Sequence, residues 1–442
     1  MRGVAIAAAL VAISAAAVPL KIPPISYRHR TLANGLQVYS VEEHSAPTVA
    51  IHVWYHVGSK DDPPGRSGFA HLFEHMMFKS TAHMKSEMMD RLTEDVGGYN
   101  NASTADDATW YYEEVPSNYL QTLLWAEADR MGSLNVDEAN FNSEREVVKE
   151  EFRTSVLAPP YGLFYYDIEK DSFAAHPYRR PTIGSIEDLD AATLADVQKF
   201  HTTYYRPDNA TLVVVGDFDA KQLDGWVDQY FNAVGRPDIP IPRVAVKEPP
   251  REAAKKITEN GPNVPLPAVA LTWLAPSAMS PDRYALDIAS AVLSQGESSR
   301  LYQSLIYRQQ IAQDVSADDD LREDLGVYVI TATVASGKSP DVVLKAIDAE
   351  LRDLEQKPVS ASELDKAKNQ LVTEVLRRRE TNDGKAFAIG HDATVLHDAA
   401  QVNNGLARLQ AVTAADVQRV VNKYVKDGKS LTITYVSKGA AQ

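Results

Sequence analysis

The chain has 442 residues, more than the roughly 250 to 300 at which a single hydrophobic core stops growing, so at least two domains are expected. Its 44% hydrophobic and 24% charged residues exclude a disordered, collagen-like or polytopic membrane chain. With 45 Lys+Arg against 60 Asp+Glu the net charge is −15, which argues against nucleic acid as a partner, and the lack of cysteine leaves any metal to His and carboxylates.

Arg2 precedes an apolar run from Gly3 to Leu20, and Ala15 and Ala17 form an A-x-A-like site. This predicts a secretory signal peptide over residues 1–17, a mature chain starting near Val18, and a periplasmic location with no stable membrane insertion. An uncleaved anchor is the alternative, since the run approaches the length of a spanning helix. Further on, Leu36–Val41 and Val49–Val57 read as half-buried strands, with Val49, Ile51, Val53, Tyr55 and Val57 on one face.

Next comes His71-Leu72-Phe73-Glu74-His75. At about 100° per residue, His71 and His75 share one helix face with Glu74 beside them, the HxxEH inversion of the HExxH zinc pattern. A catalytic zinc takes three protein ligands, so a third is sought in Asn142–Thr154, "NSEREVVKEEFRT". Asn142 or Ser143 is the expected cap, which puts Glu144 and Glu146 in the first turn. Glu144 and Glu151 are seven apart and nearly aligned, with Val147 and Val148 along that side. Spacing favours Glu151 over Glu150 without excluding it, and an ordinary solvated face with Arg145, Lys149 and Arg153 is the alternative for all of these carboxylates. Two imidazoles and one carboxylate suit amide hydrolysis, with Glu74 taking and returning the proton.

The chain then repeats itself. "TLADVQKFHTTYYRPDNATLVVV" from Thr193 and "TAADVQRVVNKYVKDGKSLTITY" from Thr413 share Thr, Ala, Asp, Val, Gln and Tyr at one constant offset. The first copy ends shortly before "GRPDIPIPRVAVKEPP", residues 235–250, whose prolines favour an extended linker. Residues 22–234 are therefore expected as a metal-carrying domain, 235–251 as a linker and 252–442 as a homologous non-catalytic domain. Ala268–Trp273 and Val327–Val334 are the clearest strands after the linker. Neither half alternates strand and helix as a doubly wound sheet does. The expectation is α+β, with each half a largely antiparallel mixed sheet packed with helices.

"SGFAHLFEHMMFKST" from Ser67 resembles the signature of the pitrilysin/insulysin family of inverted-zincin metallopeptidases, and the length resembles its mitochondrial-processing-peptidase-like branch of single-module subunits. "GGYNNASTADDATWYYEEVP", "EREVVKEEF", "HPYRRPTIGS", "YYRPDNATLVVVGD" and "SSRLYQSL" extend the resemblance along most of the chain. It implies one zinc per chain on His71, His75 and Glu151, with Glu74 as general base, and it favours Glu151 over Glu150. Glu144 matches a further acidic residue, which reads as orienting a ligand. Substrate is implied to add as a strand beside Asn101 and Ala102, although Asn101 also suits a turn after Gly97-Gly98. Such relatives enclose short or unfolded polypeptides; an acidic chamber would favour basic ones, with ordinary surface charge for solubility as the preferred alternative for the net charge.

One departure stands out. Active relatives carry an Arg and, seven residues later, a Tyr on the substrate carbonyl, where a gapless alignment from Ser298 puts Ile306 and Gln313. The resemblance therefore implies clam-like pairing with a homologous chain that lacks HxxEH and supplies the pair, with a homodimer as the lesser option. A non-hydrolytic structural or assembly subunit of the same fold is the alternative. Zinc storage lacks the His-rich tract it needs.

Overall fold

A computed structural model describes residues 22–438, so the expected signal segment lies outside the described residues. The first sheet contains β1 (Arg28–Thr31), β2 (Gln37–Glu42), β3 (Thr48–Tyr55), β4 (Tyr99–Thr104), β5 (Thr109–Pro116) and β6 (Ala210–Gly216), in the order β1-β2-β6-β3-β5-β4. The second contains β7 (Lys255–Gly261), β8 (Ala268–Ala275), β9 (Ala312–Asp320), β10 (Gly326–Val334) and β11 (Leu431–Ser437), in the order β7-β11-β8-β10-β9. All neighbours pair antiparallel except β2 with β6 and β7 with β11. Without β1, the two orders match strand for strand. The α+β fold is thus a pair of related halves, each a mixed sheet packed with helices.

The repeated sequence explains the match. Thr193 and Thr413 each cap a helix, accepting from the amides of Asp196 and Asp416, whose carboxylates reach back to the threonines. In each half this helix leads into the strand that makes the single parallel pairing. Residues 235–254 between the sheets form neither helix nor strand.

The reading of β3 as half-buried is corrected. Val49, Ile51, Val53 and Tyr55 face the helices of their own half, but Ala50, His52 and Trp54 on the opposite face are equally buried. The cover comes from the second half, where Ala386 and Ile389 of the helix Asn382–Thr394 pack on Ala50, Trp54, Val213 and Val215. Trp54 stacks on Trp110 at 4.7 Å and meets Phe387 edge-on at 5.3 Å. A Cβ at Gly390 would stand 2.0 Å from Trp54 Nε1, so only glycine allows this approach.

The exchange is mutual. The helix Gly162–Ser172 of the first half lays Phe164 and Ile168 on Ala268, Ala270, Leu431 and Ile433 of the second sheet. Between the halves, buried Arg322 pairs with Asp106 at 2.9 Å and lies over Phe173 and Tyr178. No helix among the described residues is long and apolar enough to cross a membrane.

The end of the chain is tied down by Asp282, which accepts from Tyr424 Oη at 2.7 Å and pairs with Arg419 at 2.8 Å and Lys423 at 3.0 Å. Burial opposes the Asp282 charge, but these donors outweigh it and bring its pKa from 3.8 to about 2. The depressed value means that the stabilisation is complete above the unfolded pKa and is lost as pH falls through about 2. Asp282→Asn is expected to cost about 2 kcal/mol in urea unfolding at pH 7, and little below the folded pKa. An equal cost at both pH values would sink the electrostatic account.

Candidate metal centre

The helix Phe69–Met76 buries Phe69, Leu72, Phe73 and Met76 in the core of the first half, which turns His71, Glu74 and His75 toward another face. Its start is fixed by close backbone approach. Gly68 has a φ of +94°, and a Cβ there would lie 2.9 Å from the Ile183 carbonyl oxygen. Asp62 accepts from the amides of Gly68 and Ala70 at 2.7 and 2.9 Å, satisfying donors that the first turn leaves free.

Glu151 rides on the helix Glu138–Phe152, which crosses the first. Its cap is Asp137, accepting from Asn140 N at 2.8 Å, so Asn142 and Ser143 lie inside the helix and Glu144 and Glu146 fall beyond the first turn. The helix starts well before the expected cap because Asp137 supplies the carboxylate first. Val148 is fully buried while Val147 is 45% exposed, which corrects their placement on one inward side. Adjacent helical residues point about 100° apart, and only Val148 reaches the core.

The structure brings His71, His75 and Glu151 together. Glu151 Oε2 lies 3.5 Å from His71 Nε2 and 3.3 Å from His75 Nε2, and one donor atom from each residue fits within 4.8 Å of the others. Glu150 is exposed and pairs with Arg153 at 3.0 Å. Burial pushes His71 down to about 4 and so keeps its ring neutral. Burial also opposes charge on His75, but Glu151 and Glu74 outweigh it and raise its pKa. The hydrogen bond with His75, ahead of the cost of burial, holds Glu151 below its ordinary value.

Glu74 stands beside the cluster with its pKa raised by burial, and Thr104 donates to its Oε2 at 2.6 Å. Glu144 is buried, 3.9 Å from His75 Nδ1 and thus beyond hydrogen-bond reach, and pairs with Lys79 at 2.9 Å. Sequence reasoning missed Thr104 and Lys79, although both lie in quoted motifs. Strand alternation held the signal for Thr104, which shares the inward parity of the buried Ala102.

Asn101 and Ala102 lie in β4, at the edge of the first sheet. Asn101 pairs in register with Tyr112 of β5, so it is a strand residue and not a turn residue. Its Oδ1 accepts from the Ala102 amide at 2.8 Å. The other side of β4 has no neighbouring strand among the described residues, and its far end carries the Thr104 that holds Glu74.

The model for Insulinase (Peptidase family M16) matches residues 37–184, and that for the Peptidase M16 inactive domain matches residues 191–371. The chain is 32% identical over 405 residues to the zinc protease PqqE of Helicobacter pylori, with 91% of each chain covered. It belongs to peptidase family M16. This M16 chain is also 26% identical to "Probable mitochondrial-processing peptidase subunit beta" of Arabidopsis thaliana, covering 92% of this chain and 78% of that one. The crystal structure of a protease from Helicobacter pylori superposes with a TM-score of 0.90 at 31% identity, covering 94% of this chain and all of that one.

Within this M16 chain, Ile306 lies in the π-helical segment Tyr302–Arg308, partly buried against the core of the second half. Gln313 is exposed on β9, the edge strand of the second sheet. Tyr307 is exposed, and Arg308 is 3.8 Å from Glu350.

Proposed function

We propose that the chain is a zinc-dependent endopeptidase acting on extended peptides or unfolded polypeptides. The observation that carries this reading is the convergence of His71 and His75 on the Glu151 carboxylate, with buried Glu74 alongside. Two imidazole nitrogens and one carboxylate oxygen make a catalytic zinc donor set, and the relative named as a zinc protease supports the assignment. A zinc ion held there supplies a Lewis acid that polarises a carbonyl and lowers the pKa of water. Glu74 takes a proton from the attacking water and returns it to the leaving amine, while Thr104 fixes the orientation of its carboxylate. The open edge of β4 beside Asn101 and Ala102 takes the peptide as an added strand, through main-chain hydrogen bonds that tolerate varied side chains.

The reading includes a homologous partner chain. Ile306 offers no hydrogen-bond donor and packs against a core, and Gln313 carries a neutral amide in place of a phenol. The partner then contributes the Arg and Tyr that hold the substrate carbonyl. Co-purification with a homologue that lacks HxxEH is expected to raise cleavage of an unfolded polypeptide at least tenfold over the zinc-loaded chain alone. Equal rates would remove the partner from the proposal. No cleavage in either form would favour a structural subunit of the same fold.

A further inference from the structure

A second set of donors lies where the two halves meet. His56 follows β3 in the first half, Glu323 sits between β9 and β10 in the second, and His397 follows the exchanged helix Asn382–Thr394. His56 Nε2 is 2.7 Å from Glu323 Oε2, and His397 Nε2 is 2.8 Å from Glu323 Oε1. The imidazole centroids are 4.9 Å apart, and one donor atom from each of the three residues fits within 4.8 Å of the others, as at the HxxEH site. The geometry points to a second transition-metal site, of the zinc class, that clamps the two halves of the chain together.

The framework around these donors is fixed. The His56 amide donates to the Asn209 carbonyl at 3.0 Å, and the His56 carbonyl accepts from Arg243 Nη1 at 2.8 Å. The Glu323 amide donates to Asp107 at 2.8 Å. His397 adopts a φ of +51°, a left-handed conformation that costs energy for a non-glycine residue and is retained here with the ring on Glu323. Two nitrogens and one carboxylate oxygen select zinc and its neighbours over magnesium or calcium, which prefer all-oxygen sets. The donors line a cavity of about 450 Å³ that leaves space for water as a further ligand.

The competing cations are Lys60, which binds Glu323 in the metal-free state, and Arg243, which lines the same cavity and is held by the His56 carbonyl and Asn209. Lys60 also holds Asp107 at 2.8 Å and lies 3.7 Å from Asp324, so it stays paired if a metal takes Glu323. A tetrahedral zinc places its donors roughly 3.3 Å apart, within reach of modest rotation of the half-exposed His397 ring.

The test is zinc per chain after dialysis of the chelator-stripped full chain against zinc chloride. Two are expected for wild type, one for His71→Ala, one for His397→Ala and none for the double variant. In the His71→Ala background, zinc is also expected to raise Tm by several degrees, and His397→Ala to abolish that rise. Wild type holding one zinc that His71→Ala removes would overturn the second site and leave the HxxEH site standing. One zinc that survives His71→Ala and is lost in His397→Ala would uphold the clamp and overturn zinc at HxxEH. Two zinc ions retained in His397→Ala would overturn the clamp.

Discussion

Glu74→Gln is expected to slow peptide cleavage by two to four orders of magnitude while the zinc content stays at the wild-type value. Gln keeps the shape of the side chain and can still meet Thr104 Oγ1, which lies 2.6 Å from the present carboxylate oxygen. What it lacks is a basic oxygen. Glu74 lies outside the group of His71, His75 and Glu151 whose donors converge, so its neutralisation leaves those ligands in place. The loss should fall on kcat, with KM little changed, because proton transfer belongs to the transition state and the proposed substrate contacts lie along β4. Steady-state kinetics in whichever form the wild type cleaves, together with metal analysis of the same samples, checks both parts. Undiminished cleavage would refute Glu74 as the base, and loss of zinc would recast it as a ligand.

The second large effect concerns the halves. Residues 22–251 and residues 252–442, each produced alone, are expected to lack a cooperative thermal transition and to bind a hydrophobic dye. Cutting the chain at the linker strips Ala386 and Ile389 from one sheet, and Phe164 and Ile168 from the other. Burial of each large apolar side chain contributes about 1.5–3 kcal/mol, against a total domain stability of about 5–15 kcal/mol. The cut also separates buried Arg322 from Asp106, leaving charged groups without their partners. Scanning calorimetry and dye fluorescence on the separate halves decide the matter. A sharp transition in either half alone would show that the exchanged helices are dispensable.

Much of this architecture is legible in the sequence because local rules and tertiary structure agree. The four-residue step from His71 to His75 needs only helical geometry to put both rings on one face. Thr193 and Thr413, each followed three residues later by Asp, mark two equivalent helix starts and so the duplication. Other features escape local reading. Alternation in β3 reports the large residues on one face, but Ala50 and Trp54 are covered by a helix more than three hundred residues away. Asp137 lies outside the motif that drew attention to Glu151, so the motif alone starts the helix too late. Asn101 follows two glycines and invites a turn, yet the register with Tyr112 extends β4 through it. Glu323 gathers His56 and His397 from distant parts of the chain, a convergence without any spacing pattern.

The exchanged helices also bear on how substrate enters. A hinge between the halves of this chain would expose the side of Trp54 covered by the helix Asn382–Thr394 and the faces beneath Phe164 and Ile168, breaking two cores at each opening. Such a motion would cost a large share of the folding free energy, so the two halves are expected to move together. In the proposed pairing, admission of a peptide to the open edge of β4 would then be governed by the partner chain closing against this one, and the rate of capture by how often the two part.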